Sequence, residues 1–273
     1  MEKLTITRVI SGRSRGSSRP IIVDTDSGKF FVKLRGAAQG SGALISEIIV
    51  AELAEVLQLP VLPRYIAVLE ANTQIDDKND ELADLISASI GENLALPMLD
   101  KARDAKPKDL KRFTDGEKAA ILWLDRLVMN PDRTDENPNV LYCGKKLYLI
   151  DHGAALRFQY DWARVSEQTP SEIGLTFRPH VFESIFQSKH WEYWDELFAQ
   201  YITRPILKKA VAAVPDSFLR PLLAEPIADK SPESPEKTIQ RRRAAYVAYL
   251  WKRLKFPRNF AMQPAVHIAK FNQ

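Results

Sequence analysis

Over the first hundred residues or so, apolar and polar positions alternate in short runs; further along the chain they recur at helical spacing. The alternating part predicts strands at Leu4–Ile10, Pro20–Asp24 and Lys29–Arg35, with Thr25-Asp26-Ser27-Gly28 as a hairpin turn. In the third strand Phe30, Val32 and Leu34 share one face, and Phe31, Lys33 and Arg35 share the other. Leu44–Leu57 switches to helical period, with Leu44, Ile45, Ile48, Ile49, Leu53, Val56 and Leu57 in one stripe and Pro60 as the stop. Tyr65–Leu69 and Leu94–Met98 are two further predicted strands, separated by a polar helical insert around Asn79–Ser89.

Beyond Met98 the pattern predicts helices. Thr114-Asp115-Gly116-Glu117 has the form of a capping box, which satisfies free amides at a helix start. Ala120, Ile121, Leu124, Leu127 and Val128 line one side of that helix, and Asn130-Pro131 ends it. A hairpin follows, Val140–Cys143 and Lys146–Ile150, turned by Gly144-Lys145. Helices are predicted at Lys189–Gln200, with Trp191, Trp194 and Phe198 as core, at Arg204–Val214 and at Pro235–Lys255. Ala224–Glu236, rich in Pro, Ser and Glu, is a predicted surface loop. The sum is an α+β chain with a β-rich first part and an α-rich second part, joined near Pro97–Asp100.

Composition narrows the class. The 273 residues are 45% hydrophobic and 27% charged, an ordinary globular profile with room for a sizeable core. No apolar run has membrane-spanning length, and Met1-Glu2-Lys3-Leu4 lacks the order of a signal peptide. One cysteine, Cys143, excludes an internal disulfide and suits a reducing compartment, so the cytoplasm is expected. A net charge of +4 permits phosphate binding without implying nucleic acid.

The chemistry concentrates in Asn130-Pro131-Asp132-Arg133-Thr134-Asp135-Glu136-Asn137-Pro138-Asn139, then the hairpin, then Leu149-Ile150-Asp151-His152-Gly153. Phosphoryl transfer needs a carboxylate near the attacking hydroxyl and oxygen ligands for Mg²⁺. Asp132 and Asn137 share one irregular loop, and the hairpin returns Asp151 towards them, with Gly153 allowing a turn behind it. Each piece alone is an ordinary turn; the ordered set is far more specific. Lys33, flanked by Phe31, Val32 and Leu34, calls for a partner, and Glu47 on the following helix is the first candidate, ahead of Glu52 and Glu55. The alternative, a solvent-facing lysine, stays open at this level. Ser11–Arg19 could lay backbone amides over phosphates, with Arg15 or Arg19 adding charge, or be a plain hairpin tip.

This ordered set resembles the HipA-like kinases, and most closely their short members. The residues that carry it are Gly16-Ser17-Ser18-Arg19-Pro20, Phe31-Val32-Lys33, and Glu47 leading into Leu57-Gln58-Leu59-Pro60-Val61. Asn130-Pro131-Asp132-Arg133, Asn137-Pro138-Asn139 and Ile150-Asp151-His152-Gly153 complete it. The resemblance runs from about Thr7 to Ala155 and implies a two-lobe protein-kinase-like fold, residues 1–98 forming a β-rich N-lobe and 99–273 a mainly α-helical C-lobe. It further implies ATP and Mg²⁺ as cofactors, Gly16, Ser17 and Ser18 in the phosphate loop, Lys33 on the phosphates and Glu47 as its ion-pair partner. Asp132 would be the catalytic carboxylate, Asn137 and Asp151 the metal ligands, and Leu96-Pro97-Met98 the adenine contact. In some members a phosphate-loop serine is autophosphorylated; Ser14, Ser17 and Ser18 are available here. The pattern departs from eukaryotic kinases in Asn-Pro-Asp for His-Arg-Asp and in His152 for Phe. Thr134 stands where longer members carry His.

The leading expectation is phosphorylation of a protein Ser or Thr, with a regulatory or antitoxin partner. A small-molecule phosphoacceptor on the same fold is the alternative, followed by AMP transfer or an inactive nucleotide-binding module. No membrane contact is expected. The last helix, with Arg241, Arg242, Arg243, Lys252, Arg253 and Lys255 among Tyr246, Tyr249 and Trp251, could grip nucleic acid. A helix with packed aromatics and solvated charges is the favoured alternative.

Overall fold

A computed structural model describes residues 1–12, 20–77, 79–173, 175–176, 178–220, 234–262 and 266–267. Gly16, Ser17 and Ser18, with Ser14, Arg15 and Arg19, lie outside the described residues, as does most of the loop predicted at 224–236.

The strand-rich part contains β1 (Lys3–Gly12), β2 (Ile21–Thr25), β3 (Gly28–Lys33), α1 (Gly40–Val56), β4 (Tyr65–Leu69), β5 (Gln74–Ile75), α2 (Asp80–Ser87) and β6 (Gly91–Pro97). The strand order is β2-β3-β6-β4-β1-β5, and β1 also pairs with β2. The Lys3–Thr5 end of β1 runs parallel to β4, while its Ile6–Gly12 portion pairs antiparallel with β2. Register shifts between Ile6 and Arg8 and between Val9 and Ser11 let β1 serve both neighbours, because bulges add bend and twist. The sheet therefore curls on itself around Leu4, Ile6, Val9, Val23, Phe30, Val32 and Ala95.

The helical part follows: β7 (Arg103–Asp104), α3 (Pro107–Leu110), α4 (Asp115–Leu127), β8 (Val140–Cys143) and β9 (Lys146–Leu149). Then come β10 (Leu175–Thr176), α5 (Trp191–Tyr201), α6 (Arg204–Ala212), α7 (Asp216–Leu219), α8 (Pro235–Arg253), α9 (Asn259–Met262) and β11 (Val266–His267). The capping box at Thr114 forms as predicted, with Thr114 and Glu117 satisfying each other's backbone amides. Gly144 and Lys145 both take positive φ, as a two-residue hairpin turn requires.

Two predicted helix ends need correction. Pro60 does not stop α1, nor Asn130-Pro131 α4. Each helix closes through a left-handed residue, Gln58 and Met129, with paired reverse bonds: Leu59 N–H to Ala54 C=O and Asn130 N–H to Asp125 C=O. The prolines come after a turn already made. α1 also starts four residues before the predicted Leu44, since Gly40–Ala43 are too small to register as an apolar stripe. It is buried on nearly every face and belongs to the larger core with α4, α5, α6 and α8, not to the curled sheet alone. Trp191 and Phe198 are buried core residues, as their spacing predicts.

The favoured view of α8, aromatics packed and charges in water, holds for only part of the helix. Arg242 and Arg253 are each 2% exposed. Arg253 donates to the carbonyls of Arg126, Leu127, Pro170 and Glu172, satisfying loop and helix-end acceptors. Burial lowers its pKa to about 10. Arg243 donates to Val211, Val214 and Asp216. These cations tie the helix to its neighbours. Among the described residues, no helix is long and apolar enough to cross a membrane.

Candidate active site

Lys33 is the last residue of β3, paired with Leu94 on β6, and is only 9% exposed. A buried ammonium demands compensation. Its Nζ lies 2.5 Å from Glu47 Oε1 and 2.8 Å from Asp151 Oδ1, the second contact spanning 118 residues of sequence. The strand, α1 and the segment after β9 therefore meet at one nitrogen. Glu52 and Glu55, the weaker sequence candidates, bind Arg64 instead.

The two carboxylates differ. Glu47 is 4% exposed; burial raises its pKa, with the Lys33 charge working against that rise. Burial pushes Asp151 up most strongly, but the Lys33 charge and hydrogen bond, with smaller help from its neighbours, together hold Asp151 below its usual value. The Asp151 side chain keeps 40% exposure, so one face of the cluster opens outward. Lys33 itself is raised: burial opposes its charge, and the two anions overcome that cost.

Asp151 has φ +56, a left-handed backbone that Asp tolerates better than most residues. The sharp turn predicted at Gly153 therefore occurs at Asp151. Gly153 meets a different demand: a Cβ there would sit 3.3 Å from Ala43 Cβ and 3.5 Å from Glu47 Oε1. The glycine lets the segment pass close against α1.

Asp132 lies on the loop after α4. Its Oδ2 accepts from Asn137 Nδ2 and Asn139 Nδ2, each at 3.1 Å, and its N–H donates to Asn130 Oδ1 at 3.1 Å. Asn139 C=O in turn accepts the Ile150 N–H at 3.0 Å, which ties this loop to the backbone entering Asp151. Leu149 is anchored from another side, its N–H donating to Pro60 C=O. Asp132 and Asn137 are thus in direct contact, and Asp151 is joined to them through Asn139 and Ile150. Pro97 pairs with Phe30, and the Met98 N–H donates to Lys29 C=O, leaving the Met98 side chain exposed at the end of β6.

Beneath the loop is a buried polar cluster that the sequence did not signal. Arg133 is 1% exposed, and its Nε lies 2.5 Å from Asp125 Oδ2. The same guanidinium donates to the carbonyls of Pro138 and Asn139 and to His152 Nδ1. Asp125 also meets Asn130 Nδ2 at 2.8 Å and His180 Nε2 at 3.0 Å. Burial acts to raise the Asp125 pKa, but Arg133 and His180 hold it well below the usual carboxylate range. A guanidinium has only donors, so His152 Nδ1 accepts and the ring proton sits on Nε2. Burial first, then the Arg133 charge, pushes His152 down to about 3. Arg133, His152 and Asn139 stood in the sequence motif without a role. Asp125, inside a helix, and His180, far along the chain, gave no signal at all.

The arrangement has hard oxygen donors of the kind Mg²⁺ prefers, the Asn137 amide carbonyl and the Asp151 carboxylate, beside a buried ammonium. Among the described residues no group of three or more His, Cys, Asp or Glu side chains would hold a metal alone.

A strand-rich part, a helical part and a lysine held between a helix glutamate and a post-hairpin aspartate describe a kinase-type phosphotransferase. The family comparison is more particular: the HipA-like kinase family model matches residues 6–222, and the chain belongs to that family. No curated protein matches it. Among solved structures, the proinflammatory kinase CtkA of Helicobacter pylori is similar at 11% identity and a TM-score of 0.47. That match covers 86% of this chain and 94% of the other.

Proposed function

We propose that this chain is an ATP- and Mg²⁺-dependent kinase that phosphorylates a Ser or Thr hydroxyl of a protein. Residues 1–98 would act as the N-lobe and 99–273 as the C-lobe. One observation carries the reading: Lys33 Nζ is shared by Glu47 and Asp151, which joins the elements a phosphoryl-transfer site must bring together. In this reading Lys33 binds the nucleotide phosphates and Glu47 fixes the lysine's position. Asp132, oriented by Asn137 and Asn139, accepts the proton of the acceptor hydroxyl. Asn137 and Asp151 hold Mg²⁺, which neutralises charge on the transferred phosphoryl group. Gly16, Ser17 and Ser18 cover the phosphates, and Pro97 and Met98 border the adenine. A regulatory or antitoxin protein partner and a cytoplasmic setting belong to the same reading.

A small-molecule acceptor is the second reading, and one feature favours it. A concavity of about 490 Å³ beside Asn130 and Pro131 is lined by Met129, Arg157, Phe158 and Ile173 among others. That volume falls in the range of small-ligand sites. Incubation with Mg-ATP and a panel of proteins and small hydroxyl compounds, followed by mass spectrometry, separates the cases. A gain of one phosphoryl group on a protein Ser or Thr is the expected result. Phosphorylated small molecules would favour the second reading, and transfer of AMP would overturn both.

A further inference from the structure

Glu47 reaches Lys33 only while α1 holds one rotational setting. With side-chain tips at a radius of about 6 Å, a helix rotation of about 20° moves a tip by about 2 Å. That is enough to break a 2.5 Å contact. The setting is fixed from the residue just before Glu47. Ser46 Oγ donates to Ala155 C=O at 2.9 Å and accepts from Gln159 Nε2 at 2.9 Å. Gln159 Oε1 accepts from Tyr246 Oη at 2.7 Å. Ser46, Gln159 and Tyr246 are all 0% exposed, so water cannot replace a lost partner. One turn before Ser46, a Cβ on Gly42 would sit 2.8 Å from Tyr160 Cε1, so the Tyr160 ring rests directly on the α1 backbone.

Ala155, Gln159 and Tyr160 thus grip the Gly42–Ser46 row of α1, and Gly153 passes against the Ala43–Glu47 row beside it. The outer end of this chain of bonds is on α8, beyond residue 222 and outside the span matched by the family model. We propose that Tyr246 is a positioning residue: acting through Gln159 and Ser46, the C-terminal helix sets α1 and with it the Lys33–Glu47 pair. In its kinetic part the proposal rests on the phosphotransferase reading above; in its structural part it does not.

The test pairs hydrogen exchange with a kinetic cycle on the full chain. In Tyr246→Phe, amides 42–47 of α1 should exchange about tenfold faster, as expected when a buried acceptor loses its donor, while β1 amides stay unchanged. Unchanged α1 exchange, or an equal rise throughout the chain, would overturn the proposal. Ser46→Ala should give the same local rise, and serves if Tyr246→Phe does not fold. With Mg-ATP, Tyr246→Phe should lower turnover about tenfold in the wild-type background and cause no further loss in Glu47→Gln. Equal losses in both backgrounds would mean Tyr246 does not act through Glu47. A wild-type chain without phosphotransfer would remove the kinase reading, and the exchange result would then decide the structural proposal.

Discussion

Two charged clusters meet in the chain at the neighbours Asp151 and His152 and do opposite things. Around Arg133, the guanidinium faces Asp125, two carbonyls and a neutral His152, so the cluster is balanced and closed. Around Lys33, one ammonium serves two carboxylates, and one of them, Asp151, remains partly open. Counting formal charges, the first has one cation for one anion and the second has one cation for two. A balanced buried cluster fixes backbone; a cluster short of a cation has a use for another, which in the proposed function is Mg²⁺. Buried cation–carboxylate contacts occur in both, and the local sum of charge distinguishes the structural cluster from the one proposed to do chemistry.

Arg133→Met should break this contrast most severely. It leaves Asp125 buried without its main partner, the Pro138 carbonyl without the Arg133 donor and the Asn139 carbonyl with only the Ile150 N–H, a loss of about 3–5 kcal/mol in denaturant unfolding. The acid limb comes next. The unfolded His152 imidazole gains a proton below about pH 6.5, whereas the folded one stays neutral down to about 3. Between those values the unfolded state binds more protons, so stability falls as pH drops, by about 1.4 kcal/mol per unit from this group. His152→Asn should flatten that part of the stability profile relative to the wild type; an unchanged slope would mean the ring is not held neutral.

Lys33→Met should separate stability from activity. Glu47 can take up a proton once the ammonium is gone, so unfolding should cost only about 1–2 kcal/mol less, while phosphotransfer should fall at least about a hundredfold. Gly153→Ala is the gentlest test. Its added methyl meets Ala43 and Glu47 without a backbone penalty, so stability should drop by about 1 kcal/mol or less. A small loss of activity from a shifted Glu47 would sharpen the link between that close approach and the ionic site.

Much of this was legible because it is local. Strand alternation, the Gly144-Lys145 turn and the Thr114 capping box are written in neighbouring residues, and the structure follows them. Lys33 stood out because a lysine between apolar strand residues requires a partner, and Glu47 is only fourteen residues away. The start of α1 is hidden because it is made of small residues, of which Gly42 must be small to pass Tyr160, and small residues leave no apolar stripe. Left-handed Gln58 and Met129 end helices without the glycine that usually marks such a turn. His180 and Tyr246 are illegible because their partners, Asp125 and Gln159, lie 55 and 87 residues distant, and Asp125 is illegible because it sits in an ordinary helical stretch. The burial of Arg253 in α8 is not legible because its acceptors are backbone carbonyls of other segments, which a sequence does not display.

In the proposed function, phosphoryl transfer occurs at the open, cation-poor cluster and Asp132 faces the acceptor. Transfer of label from γ-labelled ATP should be measured for Asp151→Asn and Asp132→Ala, alongside circular dichroism spectra to establish folding. Folded variants with transfer reduced at least about a hundredfold are the predicted result. Folded variants that both transfer label at the wild-type rate would contradict it.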